Sequence, residues 1–323
     1  MSPSTDFAGA AGMTTPTRRH KKPDWLASKI FTVALYGSCV VFLLLIAGLV
    51  EELVRGSMLS LRTFGLGFLW SSEWNPVTSQ FGALPFIYGT VVSSAVALLL
   101  AAFSGVLAGI YLAEFAPRRV ATGLALLIEL LAAVPSVVYG LWGLFVLAPF
   151  VTNWLGPLLQ ATLGFLPIFQ GNIFGVNMLL AGLILALMIV PTIVVVTRDL
   201  ILAMPMRYRE ASIALGATRW EAVSKVILPA LRPGIFGACM LALGRALGET
   251  IATTMVIGNR PAISVSLFAP GYTMASVIAN EFTEATTNIY LSALVELGLL
   301  LLVISVIVNG AGRLLLRLLQ RSA

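Results

Sequence analysis

The stretch "GIFGACMLALGRALGETIATTMVIGN", residues 234–259, decides how this chain folds. It reads as a membrane-spanning helix, yet it carries Arg245 and Glu249. Counted at the helical rise, Arg245 lies about 20 Å from the basic end marked by Arg232 and about 22 Å from the one marked by Arg260, close to the bilayer midplane. A charge there costs about 3 kcal/mol on insertion scales, so such a residue normally faces a bundle interior or an aqueous path and has a partner.

The surroundings support a membrane setting. The chain of 323 residues is 59% hydrophobic and 11% charged, with a mean hydropathy of +0.97, against roughly 45–50% apolar residues in a soluble domain. Residues 1–24 are polar, small and Pro-containing and read as a disordered tail. Apolar stretches follow near 30–50, 86–112, 120–148, 175–197, 233–257 and 288–311, each long enough to span a bilayer. Sixteen of the 20 Lys and Arg residues flank one side of these stretches; Arg55, Arg62 and Arg260 flank the other, and Arg245 stands inside. That bias predicts six spans with both termini in the cytoplasm. The first apolar run is longer than a signal-peptide core and lacks an A-x-A-like site before "EELVRG", so it reads as an uncleaved anchor. In the outer segment 51–85, Trp70, Trp74 and Phe81 suit an interfacial belt, and 149–172 reads as an outer loop.

Several classes are excluded. Cys39 and Cys239 both fall inside apolar runs, without metal-ligand or disulfide spacing, and read as packing residues. No nucleotide-binding, zinc-protease or nucleophile-elbow motif occurs, so no catalytic residue, metal or cofactor is expected in this chain. The net charge of +6 comes from span-flanking residues rather than a clustered basic face, which argues for membrane lipid and against nucleic acid. No internal repeat is visible, so an inverted-repeat carrier gains no support.

Glu249 follows Arg245 by four residues, which on an unbroken helix places it one turn along the same face. Glu129 and Glu296 are the other acids inside predicted spans, and either is an alternative partner across the bundle. Sequence does not rank the three.

The loop "PMRYREASIALGATRWEAVSKVILP", residues 205–229, is a built object. Pro205 suits a helix start and Gly216 the left-handed residue after a helix end. Thr218 and Glu221 form a capping-box pattern opening a second helix, with Pro229 marking its approximate end.

Glu210, Ala211, Ser212, then Gly216, then Val226, Ile227, Leu228 and Pro229 resemble the EAA loop of ABC importer permeases, with Ser212 and Val226 as the departures. Together with "SSEWNPVTSQFGALPFIYGT" (71–90), "AAVPSVVYGLWG" (132–143) and "GRALGETIATTMVIGN" (244–259), the chain from about residue 60 resembles the phosphate-specific permeases of the PstC type. The resemblance implies an all-α, six-helix type I importer permease of the MetI-like fold. It also implies a second permease subunit as heterodimer partner, two ATP-binding subunits that carry the ATP, and an extracytoplasmic phosphate-binding protein. Arg209, Glu210, Ala211, Ser212, Gly216, Thr218, Glu221, Leu228 and Pro229 would then form the ATPase-coupling loop, and Arg245 with Glu249 the substrate path. The alternatives are a permease for sulfate or molybdate, the paralogous phosphate permease, or an ion-coupled anion carrier. A static Arg245 salt bridge is the structural alternative to a path.

Overall fold

The structure is a computed structural model that describes residues 25–321; the expected disordered tail, 1–24, lies outside the described residues. Among the described residues six helices are long and apolar enough to cross a membrane: Lys29–Phe64, Leu84–Phe115, Ser136–Leu163, Met178–Leu202, Arg219–Leu247 and Asn288–Arg317, here the first to sixth spans. Of the described residues, those up to Glu51 form one compact unit and those from Glu52 a second. In the first unit the helix is apolar all round and exposed, from Ile30 to Leu49.

In the second unit the fourth span is the hub. Small residues let its neighbour approach closely, as membrane helices need when no hydrophobic force separates protein from lipid. A methyl group added at Gly105 would come within 2.9 Å of Ile193, and one at Gly109 within 2.8 Å of Thr197. The fifth span joins this pair through Ala242 and Ala246, packed with Ala97, Ala101, Leu185, Ile189 and Ile193. The sixth span receives the end of the first: Ser292 Oγ donates to Gly56 O at 2.7 Å and accepts from Ser60 N at 3.0 Å.

Two of the spans, the third and the fifth, carry prolines at which a widened turn lets the helix continue. A helical proline lacks an N–H and clashes with the carbonyl four residues back. Widened π turns at Gly143–Leu147, Val151–Leu155 and Val223–Ile227 end two residues before Pro149, Pro157 and Pro229, and shift that carbonyl out of register. Pro229 therefore does not close the second loop helix. That helix runs from Arg219 through the π turn to Leu247, as the fifth span itself. By the same device the third span continues to Leu163, so much of the expected outer loop 149–172 is helix.

Two spans are interrupted where the sequence reading had them continuous. The stretch 120–148 breaks at Val134, which is extended at φ −66° and ψ 130° ahead of Pro135. A residue before proline is pushed out of the helical region. The result is a 16-residue helix, Arg118–Ala133, too short to be a span, followed by the third span. The stretch 233–257 breaks at Gly248 to Thr250, between a helix ending at Leu247 and a short one at Ile251–Val256.

Beyond the second break the chain folds back on itself. Gly258 (φ +96°) and Asn259 (φ +51°) turn it, Gly271 N–H donates to Ile257 O at 3.0 Å, and Phe268 and Tyr272 are buried. Irregular backbone survives at such a place when protein satisfies its polar groups. Leu267 N–H donates to Ile168 O, while Leu267 O and Ala269 O accept from Leu179 and Met178 N–H at the start of the fourth span.

Trp74 and Phe81 pack into a buried cluster. With Phe86 and Tyr290 they form an aromatic cluster at 4.7–6.2 Å centroid distances, and Trp74 Nε1 and Tyr290 OH both donate to Glu281 Oε2, at 2.8 and 2.6 Å. Trp70 remains 76% exposed.

Candidate translocation path and coupling loop

The two helix breaks are neighbours. An added methyl at Gly140 would meet Met255 Sδ at 2.6 Å and Ala252 Cα at 3.2 Å, so helix Ser136–Trp142 is pressed against helix Ile251–Val256. Arg245 occupies the last turn before the second break. Tyr139, held by its OH donating to Leu131 O at 2.8 Å, lies within reach of the Arg245 charge.

The helix ending at Leu247 has two faces. Ala238, Ala242 and Ala246 are buried on one. Leu241, Arg245, Gly248 and Ile251 continue an exposed stripe on the other. Among the described residues no hydrogen bond or ion pair engages the Arg245 side chain. The expected pairing with Glu249 is therefore absent, because the helix that was to hold them one turn apart ends between them. Glu249 Oε1 instead accepts the Ala252 N–H at 3.4 Å, at the start of the next short helix.

The other two candidate acids are not brought to Arg245 either. Glu129 is exposed on the helix Arg118–Ala133, outside the spans. Glu296 is 2% exposed in the sixth span, beside Ser60, and its Oε2 has no partner among the described residues. The Arg245 guanidinium, a planar fork of donors that stays charged when dehydrated, is thus left without a side-chain partner among the described residues.

The loop 205–229 folds as its local signals predict as far as the capping box. Helix Met206–Ala214 ends with Gly216 at φ +88°, Gly216 N–H donating to Ile213 O at 2.9 Å and Ala217 N–H to Ser212 O at 3.1 Å. This doubly bonded ending satisfies carbonyls the helix leaves orphaned. Thr218 and Glu221 complete the capping box in both directions, and Glu221 also pairs with Lys225 at 3.2 Å. Glu210, Ala211 and Thr218 are exposed, with Ile213 at 55% and Leu215 at 89%, while Ser212 is buried and donates to Tyr208 O. Leu228 and Pro229 lie inside the fifth helix rather than at the end of the loop.

Arg209 is the anchor. Its Nε and Nη2 donate to Glu114 Oε1 at 2.8 and 2.6 Å, and its Nη1 and Nη2 donate to Met204 O at 3.1 Å and Ile201 O at 2.7 Å. Sequence reasoning missed Glu114. Its signal was an acid directly after an apolar run and before "APRR", on the same side as the loop.

A membrane bundle with an exposed arginine at a helix break, joined through one helix to a capped, exposed loop, fits a transport permease. The chain belongs to the family described as binding-protein-dependent transport system inner membrane component, whose model matches residues 105–321. It is 44% identical over 295 residues to the phosphate transport system permease protein PstC of Mesorhizobium japonicum, covering 90% of both chains. It is 42% identical over 314 residues to the protein of that name from Haemophilus influenzae, covering 96% of this chain and 99% of the other. An inward-facing structure of the MetNI methionine ABC transporter superposes at a TM-score of 0.52 and 18% identity over 72% of this chain and 94% of that one, which establishes the MetI-like importer-permease fold.

Proposed function

We propose that this chain is a permease subunit of an ATP-driven phosphate importer, that Arg245 contributes the cation of its path, and that the 205–229 loop couples it to a separate ATPase. The observation that carries the reading is the single helix Arg219–Leu247, which has the capped loop at one end and the open Arg245 near the other. A rigid rod of 29 residues, about 43 Å long, converts motion of the loop into motion of the cation. The relatives' printed function supplies the substrate, and the guanidinium suits it.

In this reading the exposed Arg245 stripe faces a second permease subunit. Two ATP-binding subunits carry the ATP and seat the loops, and a phosphate-binding protein docks on the opposite face. The basic flanks orient the loop and both termini toward the cytoplasm. The test is uptake by the complete transporter in proteoliposomes. Accumulation of phosphate that requires ATP and the binding protein is expected. Uptake driven by a proton gradient without the ATPase, or ATP-driven uptake of sulfate or molybdate in preference to phosphate, would overturn it.

A further inference from the structure

A cavity of about 660 Å³ opens where the second and fourth spans end and the fifth begins. Leu202, Met204, Val223 and Ile227 give it an apolar wall, and Arg118 and Arg219 stand in the same lining. The volume is that of a site for an organic molecule rather than for a lone oxyanion.

The charges around it are unbalanced. Glu114 and Arg209 in the lining consume each other, and nearby Glu221 is taken by Thr218 and Lys225. Arg118 and Arg219 have no ion-pair partner among the described residues, with Glu210 the single carboxylate left in the lining to face both. Arg118 is also the first residue of its 16-residue helix. That is the end where the helix dipole disfavours a cation and favours an anion.

We propose that this cavity holds an anionic phospholipid, its headgroup phosphate between Arg118 and Arg219 and the start of an acyl chain along Leu202, Met204 and Ile227. Three spans end on the cavity, which sets it at the border of the hydrocarbon, and an apolar wall beneath a basic rim matches a lipid where free phosphate would use only the rim. The lipid would brace the root of the coupling loop, because Arg209 and Ile213 of the loop line the same space. The proposal rests on the orientation given above, with the loop at the anionic cytoplasmic leaflet.

The complete transporter, purified and exposed to equal phosphatidylglycerol and phosphatidylcholine, would be examined by native mass spectrometry. Wild type should retain phosphatidylglycerol with a preference of roughly tenfold or more. R118Q, outside the loop, should lower the preference severalfold while the ATPase subunits stay bound, and R118Q/R219Q should bring the two lipids near parity. Should the double variant fail to assemble, R118Q decides. Equal retention by wild type, an unchanged preference in the variants, or displacement of the lipid by millimolar inorganic phosphate would overturn the proposal. So would a preference seen only when the ATPase subunits are stripped away, since the cavity would then be their seat. Retention is read without transport, so a failure of the phosphate reading leaves this result separately legible.

Discussion

Arg209 Nη2 lies 2.6 Å from Glu114 Oε1, so the exposed loop helix is tied to the end of the second span by a side-chain pair only 15% exposed on each partner. Arg209 also satisfies two carbonyls at the end of the fourth span, and one guanidinium thus gathers three elements. Truncating one member of a buried pair costs about 3–5 kcal/mol, and the residual exposure here points to the lower end. Glu114→Ala should leave insertion intact but lower both thermal stability and ATPase stimulation. Arg209→Lys should not rescue, because an ammonium cannot reproduce the fork. Normal stimulation in both variants would show that the clamp is idle.

Gly216 offers a cleaner test of the loop. No atom would obstruct a side chain there, so any penalty comes from its φ of +88° alone. Asn tolerates that region and a β-branched residue does not. Gly216→Asn should retain most ATPase co-purification and Gly216→Val should lose it. Equal behaviour of the two would separate coupling from the shape of this corner.

The loop was legible in the sequence because its signals are local: a cap, a glycine and a capping box each act within four residues. Spans two, four and six were legible for a similar reason, as unbroken apolar runs, and span one only to residue 50, since its helix runs on through polar residues to Phe64. The interrupted spans were not. A hydropathy window averages across Gly248 to Thr250 and across Val134–Pro135, although the residue before Pro135 carried the warning. A π turn has no composition of its own, so Pro229 looked like a stop when the widened turn let the helix pass it. Glu129 and Glu249 were misplaced as partners for Arg245 as a direct consequence, since both assignments assumed continuous helices.

Orientation is tested by labelling in intact spheroplasts, after Cys39 and Cys239 are replaced by Ser. Val77 is 93% exposed at the tip of the turn closed by Asn75 and Gln80, and Leu215 is 89% exposed on the coupling loop. A cysteine replacing Val77 should react with a membrane-impermeant thiol reagent and one replacing Leu215 should react only after lysis. The reverse pattern would invert the topology.

Glu296 is buried with Oε2 unpartnered among the described residues. Glu296→Gln removes the ionisable group and keeps the shape, so transport and thermal stability should hold or rise. Glu296→Lys puts a bulkier cation against Ser60 and should prevent assembly. Loss of uptake by Glu296→Gln at normal membrane levels would show instead that the carboxyl group takes part in transport.

The central claim is that Arg245 serves the substrate and not the scaffold, since no hydrogen bond or ion pair engages its side chain within the described residues. The most direct measurement is ATP-driven phosphate uptake by the complete transporter carrying Arg245→Gln, alongside its assembly and melting temperature. Uptake near background, with normal subunit stoichiometry and a melting temperature within a few degrees of wild type, is the predicted result. Robust phosphate uptake by a normally assembled Arg245→Gln transporter would contradict it.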